Sequence, residues 1–477
     1  MKNQVLKINR SQIQEEFNNL LNYISEKDYN AYLVGGAVRD LVLGDTPNDF
    51  DFVVDKNIDQ FTKSIAKYLK CKRIKFSNHG LSTYRLVNMD AKIFIDVTEF
   101  ESQDDGLIND LSKRDFTINS MAIKITKDKD FLNTIIDPFN GISDLKNKIL
   151  RYTDRNKVLD DPLRLLRLVR LSSKLDLQID PKTLNYFKKQ SYLINEVSKE
   201  RVRDELIEIF TLKKTYESVL LLKDTNLLTF VFPFIADTLG VEQLGFHDKD
   251  VFNHQVAALY YVEKLIDDEV FGKLDKNSYS HDKNIIPYIK LATFFHDIGK
   301  PITKKIVDDK ITFISHEELG SRMASEYLIG MKFSLKSKNY ITNLIRNHLR
   351  LGHLISLATE PSDKSLRKLE RDCGEFLLEL VYLDFADFLS TSVYNSENYI
   401  DHFNKLSKIY FRIKNISTDL EQKYANVIDG HQIMEIFGLN EGPEVGRVLN
   451  AIENELINSG NMTKAKALKL AENLLKK

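Results

Sequence analysis

The chain has 477 residues, more than one ordinary hydrophobic core organises, so roughly two to four domains are expected. Hydrophobic residues make up 43% and charged residues 29%; a run of about 18 apolar residues is absent, which excludes a membrane-spanning helix. The net charge of −1 means that a nucleic-acid partner would need a local basic face, and two cysteines (Cys71 and Cys373) exclude a disulfide framework and point to a reducing cytoplasm.

The polar start, MKNQVLKINRSQIQEEF, lacks the apolar centre of a secretory signal. Tyr32–Val34 is a short apolar run that ends in Gly35-Gly36, and Ala37–Leu43 has a helical pattern. Phe50–Val54, Thr83–Val87 and Lys92–Thr98 are rich in strand formers, with Asn88-Met89-Asp90 as a turn between the last two. The first 150 residues therefore predict a small α/β sheet domain. After Asp161-Pro162 nearly every segment has helical periodicity, interrupted at Phe232-Pro233, 273–284 and 395–399. Lys305–Ile314, with Asp308-Asp309 at its centre, suits a hairpin.

One stretch, LVGGAVRDLVLGDTPNDFDFVV, holds the residues of a phosphate and metal site. Gly35 and Gly36 let the backbone approach a phosphate, and the helix start that follows favours an anion. Arg39 on the first turn of that helix suits a triphosphate. Asp49 and Asp51 share one face of a strand, and two adjacent carboxylates favour a cation between them. Asp161 before Pro162 has the form of a helix cap. Asp161 and Arg164 also share a helical face, with Arg167 and Arg170 extending it. Further on, His254, the His296-Asp297 pair of FFHDIGKP, His316, His348 and Asp387 supply imidazole and carboxylate ligands for a divalent cation. Asp384 competes with Asp387 for the last place.

The ordered head motif resembles the DNA polymerase β-like nucleotidyltransferases. It most closely resembles the class II tRNA nucleotidyltransferase (CCA-adding) and poly(A) polymerase group. DLSKRDFTINSMA, DDPLRLLRLVR and KERVRDEL follow in that family's order. The family usually has arginine where Lys113 stands and often glutamate where Asp160 stands. The FFHDIGKP set resembles an HD phosphohydrolase domain, which long members of the family carry in this place. The resemblance implies an α+β protein: a nucleotidyltransferase head (1–150), a helical neck (151–235), an HD domain (236–400) and a helical tail (401–477).

It implies Mg²⁺ held by Asp49 and Asp51, with Asp96 either a third carboxylate or structural. It implies contacts to the incoming nucleotide from Gly35, Gly36, Arg39, Arg114, Asp115 and Asn119. Base selection falls to Asp161 and Arg164, with Arg167 and Arg170 beside them. The HD ligands are His254, His296, Asp297, His316, His348 and Asp387, for a transition metal or Mg²⁺. Glu200, Arg201 and Glu205 are expected as scaffold ion pairs. Gly430, Gly442, Pro443 and Gly446 match a tail segment that packs or contacts tRNA.

The implied partners are tRNA, CTP and ATP, with no membrane or DNA, and the implied location is cytoplasmic. The interval from Thr98 to Ser112 is shorter than the family's flexible loop, a pattern of members that add only CC. Poly(A) synthesis by the same head, a hydrolase with a vestigial head, and a non-catalytic RNA-binding protein are the alternatives.

Overall fold

The computed structural model describes residues 3–6, 8, 13–47, 49–78, 81–89, 93–100, 105–128, 130–155, 160–243, 249–268, 270, 285–391, 396–425, 427–459 and 462–475. It divides into two compact units, Met1–Val202 with Asp224–Phe230, and Arg203–Lys223 with Val231–Lys477. The division falls inside the stretch 151–235 expected as a neck.

The first unit is built on an eight-stranded sheet. In chain order it has β1 (Asn3–Val5), α1 (Glu15–Ser25), β2 (Ala31–Val34), α2 (Gly36–Leu43), β3 (Phe50–Val54) and α3 (Ile58–Leu69). There follow β4 (Lys72–Asn78), β5 (Leu81–Asn88), β6 (Ile93–Glu99), α4 (Gly106–Ser112), β7 (Ala122–Lys124), β8 (Thr134–Ile136) and α5 (Gly141–Lys146). The strand order is β1-β8-β7-β2-β3-β6-β5-β4. β3 and β6 run parallel, and the other pairs are antiparallel.

Apolar side chains on alternate positions bury both faces near the centre. Phe50 stacks on Phe17 of α1, and Phe52 meets Phe61 of α3 edge-on. On the other face Tyr32, Val34 and Val53 pack with Leu107 and Leu111 of α4. The four expected strands are present. β1, β4, β7 and β8 were not expected: three are only three residues long, and β4 alternates cations with apolar residues in a way that hides its strand character.

β9 (Ile149–Leu150) leads to α6 (Arg164–Leu175), β10 (Gln178–Ile179), α7 (Pro181–Gln190) and α8 (Lys199–Thr211). The expected cap at Asp161 does not form as such, because α6 begins at Arg164 with Leu163 in the cap position. Asp161, Pro162 and Leu163 instead accept from the N–H groups three residues on, a tighter first turn that delays the α-helix. The Asp161 carboxylate still steadies this turn, accepting from Leu163 N at 3.3 Å.

The second unit is helical. α9 (Thr215–Asp224) is followed in the chain by α10 (Leu227–Val231), all but the last residue of which belongs to the first unit, and then by α11 (Pro233–Ala236), α12 (Val251–Asp267), α13 (Ile286–Phe295) and α14 (Lys300–Thr303) of the second. The expected hairpin is present as β11 (Lys305–Val307) and β12 (Lys310–Thr312), turned by Asp308 and Asp309 at positive φ. α15 (His316–Gly330), α16 (Leu335–Ile355), α17 (Asp363–Cys373) and α18 (Leu377–Ser390) complete the bundle, in which α12 packs on α13 and α18, and α16 on α13, α15 and α18.

A buried ion pair joins its parts. Glu263 of α12 accepts from Lys290 of α13 at 3.0 Å and from the Thr215 backbone N–H at the start of α9 at 2.6 Å. Removing either partner would strand a charge in the core. The tail, α19 (Ser396–Ala425), α20 (Gly430–Phe437), α21 (Pro443–Ser459) and α22 (Lys464–Leu475), has its own core of Ile433, Val448, Ile452 and Ala467. Gly430 opens α20 against Val445 and Leu449, and Asp429 with Gln432 forms a capping box before it.

Candidate functional site

In the first unit a cavity of about 400 Å³ opens beside the β2–α2 turn. Arg39, Arg114, Arg164, Arg167, Arg170, Lys174 and Arg201 line it with Asp40, Asp49, Asp51, Asp115 and Asp161, together with Gly35, Gly36 and Asn119. Every nucleotide-binding residue expected from the sequence is there. Gly35 caps α2 at φ 74, and a Cβ on it would lie 2.9 Å from Arg114 Nη1 and 3.2 Å from Asp51 Oδ2. Only glycine fits both the backbone and the approach.

The parallel register of β3 and β6 sets Asp51 directly beside Asp96, and Asp49 lies just before β3. Withdrawal from water raises the Asp51 pKa to about 6; Arg114 opposes the rise, while Asp96 and Asp49 add to it. Such crowding of carboxylates fits a divalent cation. Asp96 is itself held by Arg85 of β5 through two contacts of 2.7 Å.

The arginines are less free than the sequence suggested. Arg39 donates to Asp40 at 2.6 and 2.8 Å and to Asn119 at 2.8 Å. Both oxygens of buried Asp115 are engaged, one by Asn119 and the Phe116 N–H, the other by Arg167. Burial opposes its ionisation, yet Arg167 and Asn119 hold its pKa at about 2. Arg164 donates to the Lys113 carbonyl at 2.5 Å. Arg114 has only a loose partner, Asp110 at 3.4 Å, and its buried Nε has no hydrogen-bond partner among the described residues.

Sequence reasoning missed Asp40 and Lys174, and it expected Arg201 in an ion pair without placing that pair at the cavity. Arg201 lines the cavity and donates to Asp161 at 2.8 Å, a pairing across 40 residues that no local pattern announces.

The second unit gathers the other ligand set from α12, α15, α16, α18 and the turn after α13. Each of its four histidines is oriented from outside. Nδ1 of His296, His316 and His348 lies 2.7 Å from the carbonyls of Thr293, Phe313 and Ile345. A carbonyl only accepts, so Nδ1 carries the proton. His254 Nδ1 donates to Ser390 Oγ at 2.8 Å, whose own proton goes to the Asp387 carbonyl.

In the neutral rings all four Nε2 lone pairs then face inward. The Nε2 atoms of His254 and His296 are 3.3 Å apart, as are those of His316 and His348. Lone pairs so placed require a cation or an added proton between them, and this is the tautomer that ligates metals.

Asp297 stands in the middle. Its Oδ2 is 3.1 Å from His296 and 3.4 Å from His254, and its Oδ1 is 3.1 Å from His316 and 3.9 Å from His348. These residues form two clusters able to hold a metal ion, sharing Asp297. Burial disfavours a charged His296, yet Asp297 and Asp387 hold its pKa at about 10; burial and the neighbouring imidazoles push His348 down to about 3.

Asp387 Oδ1 lies 2.9 Å from His254 Nε2, whereas Asp384 turns to His402 of α19 at 3.0 Å. Lys300, which the sequence reading did not single out, reaches Asp297 and Gln243 at 2.6 Å each. A Cβ on Gly299 would fall 2.2 Å from the His316 carbonyl, so glycine is what lets α15 close on this turn.

Comparison with known families gives three consecutive matches. Residues 31–151 match the poly A polymerase head domain, 176–239 the "probable RNA and SrmB- binding site of polymerase A", and 251–392 the HD domain. The chain belongs to the tRNA nucleotidyltransferase and poly(A) polymerase family. Members similar to it include the CC-adding tRNA nucleotidyltransferase of Thermus thermophilus, 26% identical over 89% of this chain and 88% of the relative. The A-adding tRNA nucleotidyltransferase of Deinococcus radiodurans is 26% identical over 88% and 90%.

The fold is that of the Thermotoga maritima CCA-adding enzyme solved in complex with tRNA, with a TM-score of 0.59 at 20% identity over 99% of both chains. Like other members of this tRNA nucleotidyltransferase and poly(A) polymerase family, the chain is a nucleotidyltransferase. None of the described helices is long and apolar enough to cross a membrane.

The raised Asp51 pKa has a measurable consequence. A cation held there displaces a proton once the pH falls through about 6, so its affinity is full above that value and lost below it. The divalent-cation concentration for half-maximal nucleotide incorporation is expected to rise about tenfold per pH unit below that point. A requirement that stays flat across this range would rule out Asp51 as a ligand.

Proposed function

We propose that the chain is a tRNA nucleotidyltransferase that extends tRNA 3′ ends with the nucleotides of CCA from CTP and ATP, in the cytoplasm. The carrying observation is the shared cavity, in which Asp49 and Asp51 stand beside a ring of guanidinium groups at the Gly35-Gly36 turn. We read 1–150 as the head, 151–235 as the neck, 236–400 as the HD domain and 401–477 as the tail; the family matches support the order of the first three.

Asp49 and Asp51 hold Mg²⁺. When bound, Mg²⁺ lowers the pKa of the RNA 3′-hydroxyl and neutralises the departing pyrophosphate. Gly35 and Gly36 admit the triphosphate against the backbone. Arg39, Arg114, Arg167 and Arg170 set a positive wall along it, with Asp115 and Asn119 fixing two of them. Asp161 and Arg164 read the base edge, and the Arg201 pairing orients Asp161.

The test is incorporation of CMP into tRNA lacking CCA, followed by sequencing of the 3′ ends. Asp49→Ala and Asp51→Ala are each expected to lose at least about a hundredfold. Activity within tenfold of wild type in both would sink the assignment.

A second reading, addition of CC only, is favoured by the short interval between β6 and α4, of which residues 101–104 lie outside the described residues. On that reading tRNA ending in CC is not extended by ATP, while shorter tRNA takes CTP briskly. Efficient addition of a single A restores full CCA synthesis.

For the second unit we propose a metal-dependent phosphohydrolase site held by His254, His296, Asp297, His316, His348 and Asp387. The inward lone pairs support it, and imidazole-rich ligands favour a divalent transition metal over Mg²⁺. A bound metal supplies a water of lowered pKa, while Lys300 offsets the Asp297 charge. His296→Ala and Asp297→Ala are expected to strip the bound metal, read by elemental analysis, and to abolish phosphodiester hydrolysis while sparing CMP incorporation. A wild type that holds no metal and hydrolyses nothing would leave the domain as scaffold.

A further inference from the structure

β4, β5 and β6 have one buried and one open face. Tyr84, Leu86, Ile95 and Val97 are buried on the α3 side. Arg73 and Lys75 of β4 turn the same way and lie over the Tyr84 ring. By strand alternation Lys72, Ile74 and Phe76 take the opposite side, with Arg85 and Phe94. Solvent-facing sheet positions are ordinarily polar. Here Ile74 is 46% exposed and Phe76 and Phe94 are each 42% exposed. Among the described residues Arg85 lies over the Phe76 ring, and all three side chains stay open to solvent.

Their position is specific. Cross-strand register runs Ile74 to Arg85, Arg85 to Asp96, and Asp96 to Asp51, so one row of the sheet leads from β4 to the candidate catalytic carboxylate. Phe94 precedes Asp96 by two residues and so stands beside it on the same face. Arg85 chelates Asp96 and lies 5.8 Å from the Phe76 ring. The nucleotide cavity approaches Asp51 from the other flank, from β2 and α2. The carboxylates thus stand between an anion-binding cavity and an apolar platform edged by the cations Lys72 and Arg85. An in-line transfer sets the attacking and leaving oxygens on opposite sides of the transferred phosphorus, so the RNA 3′-hydroxyl must arrive from a side that the triphosphate does not occupy.

We propose that this face, chiefly Phe76 and Phe94, is where the unpaired 3′-terminal nucleotides of the RNA acceptor stack, with Lys72 and Arg85 facing their phosphates. Exposed aromatic rings flanked by cations suit single-stranded nucleic acid, whose every base has a stackable face. The inference rests on the RNA-extending reading above.

The test measures the binding of fluorescent tRNA lacking CCA by anisotropy without nucleotide, and KM for that tRNA and for CTP separately. Phe94→Ala and Phe76→Ala are each expected to weaken RNA binding and raise its KM at least about fivefold. KM for CTP stays within twofold, Phe94→Tyr restores RNA binding, and Lys75→Ala on the opposite side of β4 has no such effect.

RNA affinity within twofold of wild type in both alanine variants overturns the proposal. So does a wild-type dimer that these variants dissociate, which would make the face a contact between copies. A wild type that binds tRNA through Phe76 and Phe94 but extends nothing would defeat the proposed function and leave this site standing. Normal CMP addition by unaffected variants would do the reverse.

Discussion

The parallel pairing of β3 with β6 is the constraint on which the head depends. Its register sets Asp51 level with Asp96, so two acids stand side by side on one face. Burial raises the Asp51 pKa, Asp96 and Asp49 add to the rise, and the site is at ease only with positive charge beside it. Much of the surrounding sequence supplies that charge. Arg85 clamps Asp96, Arg114 approaches Asp51 across Gly35, and a further arc of arginines closes the cavity. The glycine pair, the basic row of α6 and Arg201 each answer the crowding of a few negative groups.

The helical unit meets the reverse problem, an excess of lone pairs. Four imidazoles are turned inward by hydrogen bonds made on their outer nitrogens, and one carboxylate, Asp297, touches both pairs. Burial makes every unpaired charge in this nest expensive, so the ligands are shared between neighbours. Each unit solves its own electrostatic conflict, and in each the conflict is what makes the site chemically useful.

The residues of both sites were legible in the sequence because their chemistry is carried by type and spacing. Gly35-Gly36 before a helix, acids two apart near a strand, and His296 next to Asp297 announce themselves. The pairings were not legible. Asp161 meets Arg201, and Asp115 meets Arg167, across a folded distance that only tertiary packing sets. Asp384 and Asp387 lie three apart on one helix and could not be told apart until His402 was seen to take the first. The helix start expected after Asp161 falls two residues later because a tight first turn uses the same Asp-Pro signal as a cap. β4 was missed because its lysines and arginine obscured an alternation that its register makes plain.

Three of the four inward-turned rings take their orientation from main-chain carbonyls three residues earlier. Those acceptors are present whatever side chain Thr293, Phe313 or Ile345 carries, so substitutions there leave the ring tautomers untouched. His254 alone is set by a side chain, the hydroxyl of Ser390. The cluster is therefore robust to sequence drift at three corners and fragile at one. A lineage in which this domain was decaying would show the loss first at position 390, while the histidines themselves still stood.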